Sequence, residues 1–253
     1  MKPFFAFIIV IVGFSACSKN VDRLEEPLSF QIASDVSGQP YANCKLRSIA
    51  HEHMLFGPKL AFGLFTYFSN GNPYSLTYKG QHGQGNYFFY YDKNLRLIEL
   101  YCDGPTLPIK NRYGYNSQNQ IIVDTLFNAT SVSEDGVYTF APRLRSEITY
   151  DFQGRIIKEV ATEISDGSVF ATRTYNYDNR GNLVVPGSGF TYDDKVSIFR
   201  AHPVFQFVNR NYSMNNPVQP AYNSVGLPLT FKPSNSKFFD AYYGVTKAIY
   251  DCD

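Results

Sequence analysis

Short runs rich in Phe, Tyr, Ile, Val and Thr, cut by Asp, Asn and Gly, recur along most of the chain. No stretch of helical length repeats its apolar residues at the helical period. Phe88-Phe89-Tyr90-Tyr91, Glu147-Ile148-Thr149-Tyr150 and Thr174-Tyr175-Asn176-Tyr177 have the aromatic and β-branched content of strands. Residues 198–208 can hold a turn or two of helix, interrupted by Pro203. The pattern predicts an all-β fold: a twisted antiparallel meander of consecutive hairpins, with at most one short helix near 198–208.

The breaks between runs repeat. Tyr150-Asp151-Phe152-Gln153-Gly154-Arg155-Ile156-Ile157 and Tyr177-Asp178-Asn179-Arg180-Gly181-Asn182-Leu183-Val184 agree position for position. Tyr115-Asn116 has Asn119 in place of the glycine, Tyr91-Asp92 has Leu95, and Tyr67 with Gly71 and Tyr222 with Gly226 are looser copies. Each unit reads as a β-hairpin. Asp or Asn bonds the backbone just ahead, and Gly or Asn three residues later supplies a positive φ before an apolar pair opens the return strand. A lone hairpin is marginal in water, so the copies are expected to pair into one continuous sheet. In the return strand 156–164, alternation puts residues 156, 160 and 164 on one face and points Glu159 and Glu163 to solvent.

The N-terminus has another pattern. Lys2 precedes an apolar stretch, residues 4–14, too short for the roughly 20 residues of a membrane span, and Ser15-Ala16-Cys17 closes it. This is the layout of a secretory signal covering residues 1–16. Phe14-Ser15-Ala16-Cys17 resembles the bacterial lipobox, with Phe14 where Leu is usual. The resemblance implies that Cys17 becomes the first residue and carries acyl chains that anchor the protein to a membrane. Residues 17–27 then form the lipidated start and a polar tether, and residues 28–253 a single β domain.

Charge and chemistry narrow the function. The chain has 23 Lys+Arg and 22 Asp+Glu; without Lys2 it is neutral, which gives no support to nucleic-acid binding. Cys44, Cys102 and Cys252 allow one disulfide, with the pairing open, and an exported protein can form it. His51 and His53 would share one face of a strand, a weak metal pair with no third ligand nearby. Gly80-Gln81-His82-Gly83-Gln84-Gly85 leads into a strand-like run where a phosphate loop would lead into a helix. No Gly-x-Ser-x-Gly elbow is present, and the carboxylates look scattered over a solvated face. No catalytic residue and no cofactor are therefore assigned. Most of the 20 Tyr and 22 Phe read as core, with an exposed binding face as the alternative.

The turn units Tyr150-Asp151 to Ile156 and Tyr177-Asp178 to Leu183 resemble the YD repeat of Rhs-type and teneurin-type proteins, whose long arrays form a hollow β-shell. Here the array is shorter and less regular than such a shell needs. With its lipobox and the later segment Asn211-Tyr212-Ser213-Met214-Asn215-Asn216-Pro217, the chain is also similar over residues 41–253 to uncharacterised Bacteroidetes lipoproteins with degenerate YD-like hairpins. That resemblance implies an outer-membrane address, its side open, and no known activity. Asp124-Thr125-Leu126 resembles the acceptor site of Bacteroides protein O-glycosylation, which would modify Thr125. The expected function is a non-catalytic binding or adhesion module for a glycan, peptide or envelope protein. A purely structural envelope lipoprotein and a carbohydrate-active enzyme are the alternatives.

Overall fold

The computed structural model describes residues 44–53, 60–79, 85–104, 107–187, 191–217, 221–231 and 243–252. The leader, Cys17, the tether and residues 80–84 lie outside the described residues. Ten successive strands form an antiparallel meander: β1 (Cys44–His53), β2 (Leu60–Tyr67), β3 (Pro73–Lys79), β4 (Tyr87–Tyr91), β5 (Leu97–Cys102), β6 (Ile109–Tyr115), β7 (Ile121–Val132), β8 (Tyr138–Tyr150), β9 (Ile156–Glu163) and β10 (Val169–Thr174). The chain then leaves the sheet through two short pairs, β11 (Asn176–Tyr177) with β12 (Leu183–Val184) and β13 (Tyr192–Val196) with β14 (Asn215–Pro217). Between β13 and β14 lie a 3-10 turn, Ile198–Ala201, and the helix α1 (Pro203–Asn209). β15 (Thr230–Phe231) and β16 (Tyr243–Cys252) return to the sheet, β16 lying antiparallel on β1 to complete twelve strands. Among the described residues the fold is all-β with one short helix.

The hairpin units share one geometry. In the turns led by Asp92, Asn116, Asp151, Asp178 and Asn223, the backbone N–H of that residue donates to the carbonyl four residues on. Its side-chain Oδ1 accepts from the amides two and four residues ahead. The residue three on has positive φ: Gly154 (76°), Gly181 (81°) and Gly226 (84°), but also Leu95 and Asn119 (60° each). The Phe68–Gly71 and Ser133–Gly136 turns follow the same backbone pattern, the second with no leading Tyr to announce it.

A ladder of hydroxyls joins the units. Tyr91 donates to Pro73 O, Tyr115 to Leu97 O, Tyr150 to Ile121 O, Tyr177 to Ile156 O and Tyr192 to Leu183 O, at 2.5–3.1 Å. In all five the acceptor is the first residue after the previous Tyr-led turn, so each unit is tied to the one before it. Net, such a bond contributes about 1 kcal/mol, and burial of the phenol raises the pKa of Tyr91, Tyr115, Tyr150 and Tyr177.

The apolar pair after each turn has two separate jobs. The first member, Leu97, Ile121 or Ile156, is buried in the core. The second is left out of the ladder by a one-residue register shift: Tyr91 pairs with Leu97 and Tyr90 with Glu99, Tyr150 with Ile156 and Thr149 with Lys158. This bulge reverses the alternation beyond it. The expected facing of β9 is therefore corrected: Glu159 and Ala161 point inward with Ile148 and Ser146, at 6% and 2% exposure for Glu159 and Ala161.

Two further expectations change. The hairpin led by Tyr177 does not extend the sheet. Its Asn182 is fully buried against Asn215, and Met214 sits where only a glycine at 181 leaves room, so the hairpin lies over the inner face. Pro203 does not interrupt a helix but begins one, at the position where its missing N–H costs nothing. The His202 ring caps that helix, Nδ1 accepting from Val204 N.

Ile198, Phe199, Val204, Phe205, Phe207 and Val208 pack onto sheet residues including Leu46, Ile49, Phe65, Leu76, Phe89, Leu100 and Tyr113 in one core. The 211–217 segment holds this cap in place with buried polar groups. Asn216 Oδ1 accepts from Ile198 N while its Nδ2 donates to Val196 O, Ser213 Oγ accepts from Leu183 N, and Asn182 Oδ1 accepts from Asn215 N. Side-chain amides here replace a regular strand ladder, which accounts for the density of Asn in this segment.

Candidate ligand-binding cleft

Between the inner face of β4–β10 and the cap lies a cleft of about 830 Å³. Leu100, Ile109, Leu126 and Leu144 line its side toward the sheet, and Leu183, Val184, Val185 and Pro186 line its side toward the cap. Asn111, Asp124, Ser146, Glu159 and Arg210 are its polar wall. Arg173 and Tyr175, at and just beyond the end of edge strand β10, complete the lining there.

The cleft is organised by Arg210. This residue ends α1 in the left-handed conformation (φ 52°), its N–H bonded to helix carbonyls, and that bend turns its side chain back under the helix. Nη1 donates to Phe207 O at 2.7 Å, and the guanidinium lies 4.2 Å from the Phe207 ring centre. Nη2 donates to Asp124 Oδ2 at 2.7 Å and to Glu159 Oε1 at 3.4 Å. The other carboxylate oxygens are also engaged: Asn111 Nδ2 donates to Asp124 Oδ1 at 2.7 Å, and Glu159 Oε2 meets the Tyr175 hydroxyl at 3.2 Å and Arg173 Nη1 at 3.5 Å. Arg210, Asp124 and Glu159 are 8%, 4% and 6% exposed. One donor of the cluster is left over: Arg210 Nε is buried with no acceptor among the described residues.

The electrostatics follow from burial. Burial alone would weaken the Arg210 charge, but Asp124 and Glu159 outweigh it and hold the guanidinium above its ordinary range. Burial, then Asp124, pushes the Tyr113 phenol well up, and burial with Glu159 pushes Tyr175 up to about 12. The cluster is a closed set of two cations, Arg210 and Arg173, with two carboxylates.

Sequence reasoning missed this cluster. Asp124, a lone acid inside the apolar run 121–127, carried a readable signal. Glu159 was hidden by the bulge. Arg210, just past the apolar stretch 203–208, meets carboxylates 86 and 51 residues away.

The residues singled out from sequence fall elsewhere. Tyr91, Asp92, Tyr115, Asn119, Tyr150, Asp151, Gly154, Tyr177, Asp178 and Gly181 build turns and the hydroxyl ladder. Cys44 and Cys252 face each other across β1 and β16 and are bonded, while Cys102 lies buried at the cleft. His51 and His53 belong to β1, paired with Thr246 and Tyr243, and their side chains lie outside the described residues. Among the described residues no group of three His, Cys, Asp or Glu is placed to hold a metal. Asp124 of the glycosylation-like triplet is committed to Arg210; Thr125 is half-buried in mid-strand, paired with Arg112 and Arg145. Two rings with neighbouring cations, Phe127 and Phe140, have Lys110 at 5.7 and 4.3 Å, and Phe127 also has Arg112 at 5.3 Å, so these faces are already covered.

Compared with known proteins, the chain matches no protein-family model and no curated sequence.

Proposed function

We propose that the protein is a lipid-anchored lipoprotein of the cell envelope, attached through Cys17, whose β domain binds a ligand in the cleft without transforming it. Size supports the reading, since small-molecule sites are concave, mostly apolar and about 300–1,000 Å³. The state of the carboxylates carries it. A glycosidase needs one carboxyl as a proton donor and another as base or nucleophile. Here all four oxygens of Asp124 and Glu159 are held by Arg210, Asn111, Tyr175 and Arg173, so neither group is left to handle a substrate's proton. What the wall offers is shape, apolar surface and the uncharged hydroxyl of Ser146.

The test is to incubate the purified full chain with envelope glycans, peptides and lipids, scoring saturable binding and turnover together. Saturable binding without product is expected; hydrolysis of any of them would overturn the reading. A second reading, as one piece of a larger assembly, draws on edge strand β10. It has no proline, and Val169 and Phe170 are exposed, which suits strand pairing with a protein partner.

A further inference from the structure

The cleft's chemistry restricts what can occupy it. Its formal charges cancel, Arg210 and Arg173 against Asp124 and Glu159. A charged head group would enter a buried site with no unpaired counter-ion, a costly step. The carboxylate oxygens are engaged, so a ligand whose polar end only donates finds no open carboxylate. Arg210 Nε–H has no acceptor among the described residues but is closed off from the cleft, whereas the Ser146 hydroxyl on the polar wall lines it and can donate to or accept from an uncharged head.

The register also separates the two kinds of wall. Asn111, Leu126 and Leu144 face one another across β6, β7 and β8, while Tyr113, Asp124, Ser146 and Ala161 form the adjacent row toward the turns. With Leu100 directly across from Asn111, and Ile109 and Cys102 beyond that row, the apolar side of the cleft runs away from the turns, and the polar side sits under the end of α1. An occupant must match this gradient with an apolar body and an uncharged, oxygen-bearing head.

We infer that the cleft binds a neutral amphiphile, an acyl or similarly apolar chain with an uncharged ester, amide or hydroxyl head that meets the Ser146 hydroxyl on the polar row; this rests on the binding reading above. The chain lies along Leu126, Leu144, Ile109 and Leu100, and the head stops at the ion cluster. No bond is made or broken.

The experiment measures binding of 1-lauroylglycerol, laurate, maltohexaose and a soluble neutral peptide to the full chain, by native mass spectrometry and calorimetry below the micelle threshold. The monoglyceride is expected to bind one to one, and laurate, with the same chain and a charged head, at least about tenfold more weakly. Ala161→Phe, which fills the cleft, should abolish monoglyceride binding. Val184→Trp, at an exposed position on the rim, should weaken it even if the first variant folds poorly. Laurate binding as tightly as the monoglyceride, or maltohexaose or peptide binding in its place with the same sensitivity to Val184→Trp, would overturn the neutral-amphiphile assignment and leave the binding reading standing. Monoglyceride binding unchanged in both variants would remove it from the cleft. Absence of binding by all four probes would overturn the assignment, and failure of the wider ligand screen as well would remove the binding reading.

Discussion

At Leu95 a leucine occupies a left-handed turn position (φ 60°) that glycine fills in three sister turns. A side chain there costs about 1–2 kcal/mol against the carbonyl, and glycine gives back about half of that gain in unfolded-chain entropy. Leu95→Gly should therefore stabilise the protein by about 0.5–1 kcal/mol, read as a higher denaturation midpoint with unchanged m-value. Gly181→Ala should do the opposite, since φ is 81° and an added Cβ would stand 2.8 Å from Met214 Cγ. His202 is expected to add to the acid sensitivity of the fold. Burial lowers its pKa from 6.5 to about 4, so the folded protein resists a proton that the unfolded chain accepts. This contribution is complete above pH 6.5 and is lost as pH falls toward 4, with a ceiling of about 3 kcal/mol. Urea titrations at stepped pH should show that slope, and His202→Asn, which keeps a cap but cannot titrate, should flatten it. An unchanged slope in the variant would assign the acid sensitivity to other groups.

Single elements separate what was readable from what was not. The turns were legible because their hydrogen bonds close within five residues, and Asp or Asn followed by Gly is enough to specify them. The chain's departure after β10 was not, because it is decided by the distant pairing of Asn182 with Asn215 and by Met214 closing over Gly181. Nor was the inward turn of Glu159, since one bulged residue, Ile157, reverses everything after it on β9. The β7–β8 hairpin has its own lesson. β6 leaves β7 at Asn128 and β9 leaves β8 at Leu144, so the end of the hairpin pairs only with itself and Val132, Val137 and Tyr138 stand exposed. Replacing residues 132–138 by an Asn-Gly turn should change stability by less than about 0.5 kcal/mol and leave cleft binding intact. A larger loss on unfolding would show that the arm packs where its exposure says it does not.

For the whole molecule, the sheet and the cap meet through two unlike contacts, an apolar one beneath α1 and an ionic one at Arg210. The repeat explains why there is a sheet; the ion cluster explains why the sheet has a cleft on one face, because it fixes the end of α1 above β7 and β9. Stability of Arg210→Met, compared with the triple variant Arg210→Met, Asp124→Asn, Glu159→Gln, measures that contact most directly. The single change should cost about 3–5 kcal/mol by leaving Asp124 buried without a cation and Glu159 with Arg173 alone, and the triple variant should recover more than half of it. A single variant within about 0.5 kcal/mol of the parent would mean that Arg210 does not join cap to sheet, and the cleft described here would lose its polar wall.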